Sequence, residues 1–185
     1  DPPDEVPEDL RQADGDTAVP DPIFKTGTTT VNVHFLHYRP ELGKEANLYV
    51  NTLFGTQQPY TATIDPETGK ASFSFLQCGT AKAAVVLNNS AAGSAWLAPG
   101  ETTELYVDMR ALGYYLSLRR EEKKKTTYPA PFQRLYSSGT YANLNNIDNQ
   151  LDNSPYYGMD LFTGEFADYR MTSAEYAAHV VDTYK

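Results

Sequence analysis

The side chains able to do chemistry are few, and their spacing works against it. His34 and His37 stand three apart in an alternating apolar and polar run, so on a strand they point to opposite faces and cannot close on one metal ion. His179 lies in a helical stretch with no histidine or carboxylate at i±4; its nearest acid there is Asp182 at i+3. Cys78 is the one cysteine, which excludes an internal disulfide, a Cys-x-x-Cys redox pair and a thiolate zinc site. Gln77-Cys78-Gly79-Thr80 supplies no base or helix N-terminus to lower the thiol pKa, so Cys78 reads as a small residue at a strand end. The carboxylate pairs Glu101/Glu104 and Asp160/Glu165 look like loop acids rather than a general acid and base, and no Gly-x-Ser-x-Gly elbow is present. No catalytic residue, metal ligand or cofactor is expected from these side chains.

Aromatic side chains are the other chemistry on offer. Tyrosine contributes 14 residues, and Trp96, Tyr106, Tyr114 and Tyr115 are candidates for a platform that stacks on sugar rings. Tyr156, Tyr157 and Tyr169 are further exposed candidates. A hydrolase needs convergent acids or a histidine pair in a cleft and is the weakest reading. Asp16-Thr17-Ala18 matches a short bacterial acceptor motif for O-glycosylation, with Thr17 as the site.

These residues must be positioned by a fold whose signals are mostly of period two. Val31, Val33 and Phe35 alternate with Asn32 and His34, as in a strand with one buried face. Residues 48–54, 60–64, 71–76 and 83–87 follow at short intervals. Asp65-Pro66-Glu67-Thr68-Gly69-Lys70 predicts a hairpin, because proline presets φ and glycine supplies the positive φ that closes the turn. Residues 88–93 read as a loop. Residues 94–97 and 102–109 are expected to pair across the Ala98-Pro99-Gly100-Glu101 turn, with Leu105 and Val107 on one face and Glu104, Tyr106 and Asp108 on the other. About seven strands at roughly ten-residue spacing predict a mainly β chain: an antiparallel β-sandwich, immunoglobulin-like or transthyretin-like, over residues 23–118.

A short two-helix appendage is expected in residues 119–185, after an exposed charge run at 119–127. The first helix spans 141–151, with Ala142, Leu144, Ile147 and Leu151 as its apolar stripe and Thr140 as its cap. The second begins at Thr172-Ser173-Ala174-Glu175, a capping box, with Met171 and Tyr176 spaced for a hydrophobic staple. Its stripe of Tyr176, Val180 and Tyr184 runs to the last residue, so the helix reads as cut off.

Charge is unevenly placed. The net charge is −9, yet eight of the 24 acids and one of the 15 bases fall within the first 21 residues. Residues 1–22, with five prolines, read as a flexible acidic tether, and the nearly neutral remainder has no basic face for nucleic acid. No apolar run is long enough to span a bilayer.

Three stretches in order carry a family resemblance: Tyr38-Arg39-Pro40-Glu41-Leu42-Gly43-Lys44 with Leu48-Tyr49-Val50-Asn51; residues 97–108 around the Pro-Gly turn; and residues 136–146, with 172–176 downstream. Together they resemble the N-terminal region of secreted TlpA-type, thioredoxin-like thiol-disulfide oxidoreductases. The resemblance implies a lipoprotein or secretory leader, a small β-sandwich, a helical segment and then a thioredoxin domain with the catalytic Cys-x-x-Cys. That motif has no counterpart here, so no catalytic residue carries over. The expectation is a non-catalytic accessory module in the periplasm or on an outer-membrane lipoprotein. It would serve spacing, docking or partner selection, with a C-terminal thioredoxin-like domain or another envelope protein as partner. Its contact with a membrane would be limited to an N-terminal lipid anchor. A carbohydrate-binding module is the alternative.

Overall fold

A computed structural model of the chain describes residues 5–11, 14–52, 55–117, 133–151 and 172–183. Alternation builds the strands as expected. In β1 (Thr26–Leu36) Val31, Val33 and Phe35 are buried while Asn32 and His34 face outward. The same pattern recurs in β2 (Glu45–Asn51), β4 (Lys70–Cys78) and β5 (Ala81–Leu87). With β3 (Gln57–Thr63), β6 (Ser90–Leu97), β7 (Thr102–Asp108) and β8 (Leu135–Ser137), they form two four-stranded sheets, ordered β4-β1-β7-β8 and β3-β2-β5-β6. One core between them takes Phe35, Leu48, Val85, Leu97 and Leu105 from both sheets. The chain is a mainly β, largely antiparallel sandwich with helical additions.

Strand partners differ from expectation more than strand positions do. β6 and β7 do not pair across the Pro-Gly turn, because they lie in different sheets. β7 instead runs parallel to β1, with Asn32 opposite Glu104 and His34 opposite Tyr106. The turn crosses the sandwich and is held by Gly100 N–H on Thr29 Oγ1 at 3.0 Å and Thr30 N–H on Glu101 O at 2.9 Å. The Asp65–Gly69 turn forms, with Gly69 at φ +65° and the Asp65 carboxylate accepting from the Glu67 and Thr68 amides. Those two bonds hold the Asp65 carboxyl below its ordinary pKa. This turn too joins strands of opposite sheets.

The expected loop over 88–93 is a two-residue turn. Asn88 and Asn89 both have positive φ, the conformation of the tightest hairpin connections, so β6 already starts at Ser90. The β-sandwich expected through residue 118 gives way to helix after Asp108, whose carboxylate accepts from the Arg110 and Ala111 amides. These bonds start helix α1 (Met109–Ser117).

Helix α2 (Ala142–Leu151) falls where the sequence puts it but turns a different face inward. Asn145, Asn146 and Asn149 are 0%, 2% and 5% exposed, whereas Leu144 and Ile147 of the expected apolar stripe are half-buried. β6 is an edge strand, and α2 lies along it. Asn145 accepts from Trp96 N–H at 2.6 Å and donates to Trp96 O at 3.1 Å. Asn149 does the same for Ser94, at 3.4 and 2.8 Å. Four helical residues rise about 6 Å, and two strand residues span about 6.6 Å, so amides at i and i+4 match alternate strand residues. The helix substitutes for a missing strand. Thr140 is not its cap; its hydroxyl donates to Glu101 at 2.7 Å and ties the Pro-Gly turn to the helix entrance. Helix α3 (Ser173–Thr183) opens with the expected capping box, Glu175 N–H on Thr172 Oγ1 and Thr172 N–H on the Glu175 carboxylate. The staple, the charge run at 119–127 and Asp160/Glu165 involve residues outside the described ones.

The N-terminal segment is not a free tether over its described residues. A short 3-10 turn at Glu8–Leu10 places Val6 (7% exposed) and Leu10 against Leu36, Tyr106 and Tyr136. Asn146 Nδ2 donates to Leu10 O at 3.0 Å, and Asn143 exchanges both main-chain bonds with Asp14 at 2.7 Å. Val6 is the one buried side chain of residues 5–11, so the segment contributes little apolar burial to its own docking. The expected boundary at residue 118 is blurred as well, since β8 pairs with β7 and α2 closes the β6/β8 side of the sandwich.

Candidate functional site

A polar constellation lies on the outer face of the β4-β1-β7-β8 sheet, and the parallel β1–β7 register creates it. Ser72 Oγ donates to Asn32 Oδ1 at 2.8 Å, and Asn32 Nδ2 donates to Glu104 Oε1 at 2.6 Å. His34 Nε2 meets Glu104 Oε2 at 2.6 Å, and its ring stacks on Tyr106 with centroids 4.6 Å apart. Burial alone would push the Glu104 carboxyl up. The hydrogen bonds from His34 and Asn32, with the charges of His34 and Lys70, outweigh it and hold the pKa below its ordinary value. Sequence reasoning missed this cluster, because it paired β7 with β6. The available signal was that Asn32, His34 and Glu104 all occupy outward positions of alternating strands.

Chemically the cluster is a relay that ends on itself. Both Glu104 oxygens are engaged, and the Ser72 hydroxyl is given to Asn32 rather than to His34. It sits on a sheet face, where it pins the parallel strand pair. A carboxyl whose folded pKa is depressed stabilises above the ordinary glutamate range and loses that contribution as pH falls through the folded value. Glu104→Gln is therefore expected to flatten the acid side of a plot of urea midpoint against pH. An unchanged acid limb would show that Glu104 does not report on folding.

The four aromatics proposed as a platform lie on separate surfaces. Trp96 is half-buried on the outer face of the β3-β2-β5-β6 sheet, where Lys82 Nζ sits 5.6 Å from its ring centroid and reaches Asp148 at 2.6 Å. Tyr106 is on the opposite sheet beside His34, Val6 and Leu10. Tyr114 and Tyr115 are on α1, with the Arg134 guanidinium 4.0 Å from the Tyr115 ring centroid. Alternation put Trp96 and Tyr106 on outward positions, but the sheet switch between β6 and β7 sends those positions to opposite sides. No single stacking face is assembled from these four.

His37 lies beyond β1 with φ +56°, away from His34, and among the described residues no three metal-ligating side chains converge. The His179 side chain is outside what is described. Cys78 is exposed at the end of β4, with Thr26 Oγ1 3.5 Å from its sulfur. Thr17 is exposed and donates to the Asp14 carboxylate at 2.7 Å, which helps hold that carboxyl below its ordinary pKa. Glu101 binds Thr140 and Glu104 binds His34, so the two acids do not act as a pair.

A cleft of about 280 Å³ opens on the side of the sandwich opposite α2, between β4 and the β2/β3 hairpin, lined by Val50, Tyr60, Phe75, Gln77 and Ala81 among others. Tyr60 and Phe75 stack at 4.6 Å. Gln77 is 3% exposed; its Nε2 donates to Gly79 O and Leu97 O, while its Oε1 has no hydrogen-bond partner among the described residues. The bonds Phe35 N–H on Gly69 O and Gly79 N–H on Lys25 O set the phase of the β1–β4 ladder. Ser72, Ser74, Leu76 and Cys78 therefore aim their main-chain groups at the free edge of β4. Leu76 is 68% exposed there. Comparison of the chain with protein-family models, with curated proteins and with solved structures found no match.

Proposed function

We propose that the chain is a non-catalytic interaction module of an extracytoplasmic thioredoxin-like protein, engaging a partner segment by strand addition at β4. The observation that carries this reading is the contrast among the four sheet edges. β6 is covered by the α2 asparagines, β8 is three residues long and β3 carries Pro59. β4 runs for nine residues without proline or bulge, beside a cleft lined by apolar and uncharged side chains. Bare edges recruit strands, and proteins ordinarily blunt them. The lining is chemistry that holds a chain rather than cleaves one. The link to a thioredoxin-like partner rests on the resemblance of residues 28–185, and the placement in the periplasm or on a lipid-anchored envelope protein follows from it.

Reading the gene beyond Lys185 tests the family: a thioredoxin-like sequence with Cys-x-x-Cys supports the module, and a stop codon ends that link. Ser74→Pro tests the surface, since Ser74 N–H faces away from β1 and its loss spares the core ladder. In the full protein the substitution is expected to leave turnover of a small disulfide unchanged. It should raise KM for a protein partner by about tenfold, the equivalent of about 1.4 kcal/mol. An unaltered KM would remove β4 from the function.

A further inference from the structure

The outer face of the β4-β1-β7-β8 sheet carries an occupant of its own. Residues 5–11 form a small self-closed turn: Arg11 Nε donates to Val6 O at 2.9 Å, and its guanidinium pairs with Glu5 at 3.0 Å. The turn presents two apolar residues four apart, Val6 and Leu10, to Leu36, Tyr106 and Tyr136. Three of the four exposed residues in this stretch are charged carboxylates turned to solvent. The polar anchors read main chain rather than side chain. Asn146 takes Leu10 O, and Asn143 takes both the N–H and the C=O of Asp14. Val6 is the one buried residue of the segment, while Leu36 and Tyr136 beneath it are almost wholly covered. An apolar patch on a mostly polar sheet face is thus capped by a segment that contributes little to the core.

We propose that this patch is a peptide-docking site that the N-terminal segment occupies in cis, as a releasable strap. When the strap lifts, the site takes a segment that folds into a turn of the same chemistry: two apolar residues four apart, with free main-chain groups for the asparagine amides. Amides that read backbone impose little sequence selection, and the two apolar contacts supply the rest. The site lies on a different surface from the β4 edge, so either can fail without the other.

Two measurements on the full chain test it. In the unaltered protein, hydrogen exchange at the Leu10 and Arg11 amides, bonded to Pro7 O and Glu8 O, is expected to proceed by local opening. Their protection should be at least about a hundredfold below that of β1 amides. Protection equal to that of β1 would show the segment to be an integral part of the core and overturn the proposal. In the second, a fluorescein-labelled peptide of residues 1–16 is added to the Val6→Asp, Leu10→Asp double variant, whose own strap is released. The peptide is expected to bind the variant at least about tenfold more tightly than it binds the unaltered chain, where the site is filled. Adding Asn143→Ala should weaken that binding several-fold. Equal binding to both proteins, or none to a variant that melts like the unaltered chain, would overturn it. If the variant does not fold, the exchange measurement decides alone.

Discussion

Asn145→Ala is expected to lower stability by about 2–4 kcal/mol, and Asn145→Leu by a similar amount despite its greater apolarity. Asn145 is fully buried on a helix that its sequence would have turned the other way. Its amide satisfies Trp96 N–H and Trp96 O on the β6 edge and also donates to Ser137 Oγ at 2.9 Å. Removing it strands Trp96 N–H and Trp96 O under a helix, while Ser137 Oγ keeps its own bond to Ser138 O. Each unsatisfied buried group costs about 1–3 kcal/mol, and the partial exposure of Trp96 places the total toward the lower part of the sum. A leucine fills the space but leaves the same groups unpaired. Leu144→Asn and Ile147→Asn, on the half-buried face, should cost less than about 1 kcal/mol each. Urea midpoints for these variants decide between the two faces. If Leu144→Asn proves worse than Asn145→Ala, α2 docks by its apolar stripe and the strand-substitute account is wrong.

Gly27→Ala is expected to cost about 2–3 kcal/mol, near the top of the range for overpacking a tight site. A Cβ at Gly27 would stand 2.8 Å from Gly100 Cα and 2.9 Å from Gly100 N. Those are main-chain atoms of the turn that carries the chain from β6 to β7, and hydrogen bonds to Thr29 and Thr30 hold the turn on both sides. Neither wall can swing aside as a side chain would. Gly100→Ala meets a different obstacle. Its Cβ has room, with Gly27 Cα the nearest atom at 3.7 Å, but φ is +81°. An L residue there costs about 1 kcal/mol through conformation alone. Gly27→Ala should therefore be the more damaging of the two, and the double variant should depart from additivity because the sites touch. Equal losses would mean that the turn yields and that the close approach is not what requires glycine.

How much was legible depends on the range over which each signal acts. Val31, Val33 and Phe35 announce a strand because burial on one face of a pleated chain imposes period two on neighbours in sequence. The Asp65–Gly69 turn and the Thr172/Glu175 box are legible for the same reason, since their bonds span five residues or fewer. Asn88-Asn89 was legible in principle, because two residues that tolerate positive φ suffice for a hairpin. The apolar residues that follow Gly93 drew β6 too short.

The candidate surfaces were far less legible. Sequence offered Trp96 and Tyr106 as members of one platform, and sheet membership separates them. It read Glu104 as a loop acid, and the parallel pairing with β1 gives that carboxylate His34 and Asn32 as partners. Residues 1–22 read as too polar to dock, yet two apolar side chains and main-chain bonds to Asn143 and Asn146 seat part of the segment.

By itself the sequence determines the strands, most turns and the inward face of each strand, because alternation and turn chemistry are local. It also determines that one cysteine and three scattered histidines make a poor chemical inventory. Tertiary structure alone decides which strands are neighbours, and with that everything at the surfaces. Pairing is settled by contacts between residues far apart in the chain, such as Val33 with Ala71 and Leu105, and no local pattern encodes them. The helix α2 makes the distinction plain. Its asparagines look like weak helix formers in the sequence, and they become the buried face only because an unpaired strand edge lies where their amides can reach it.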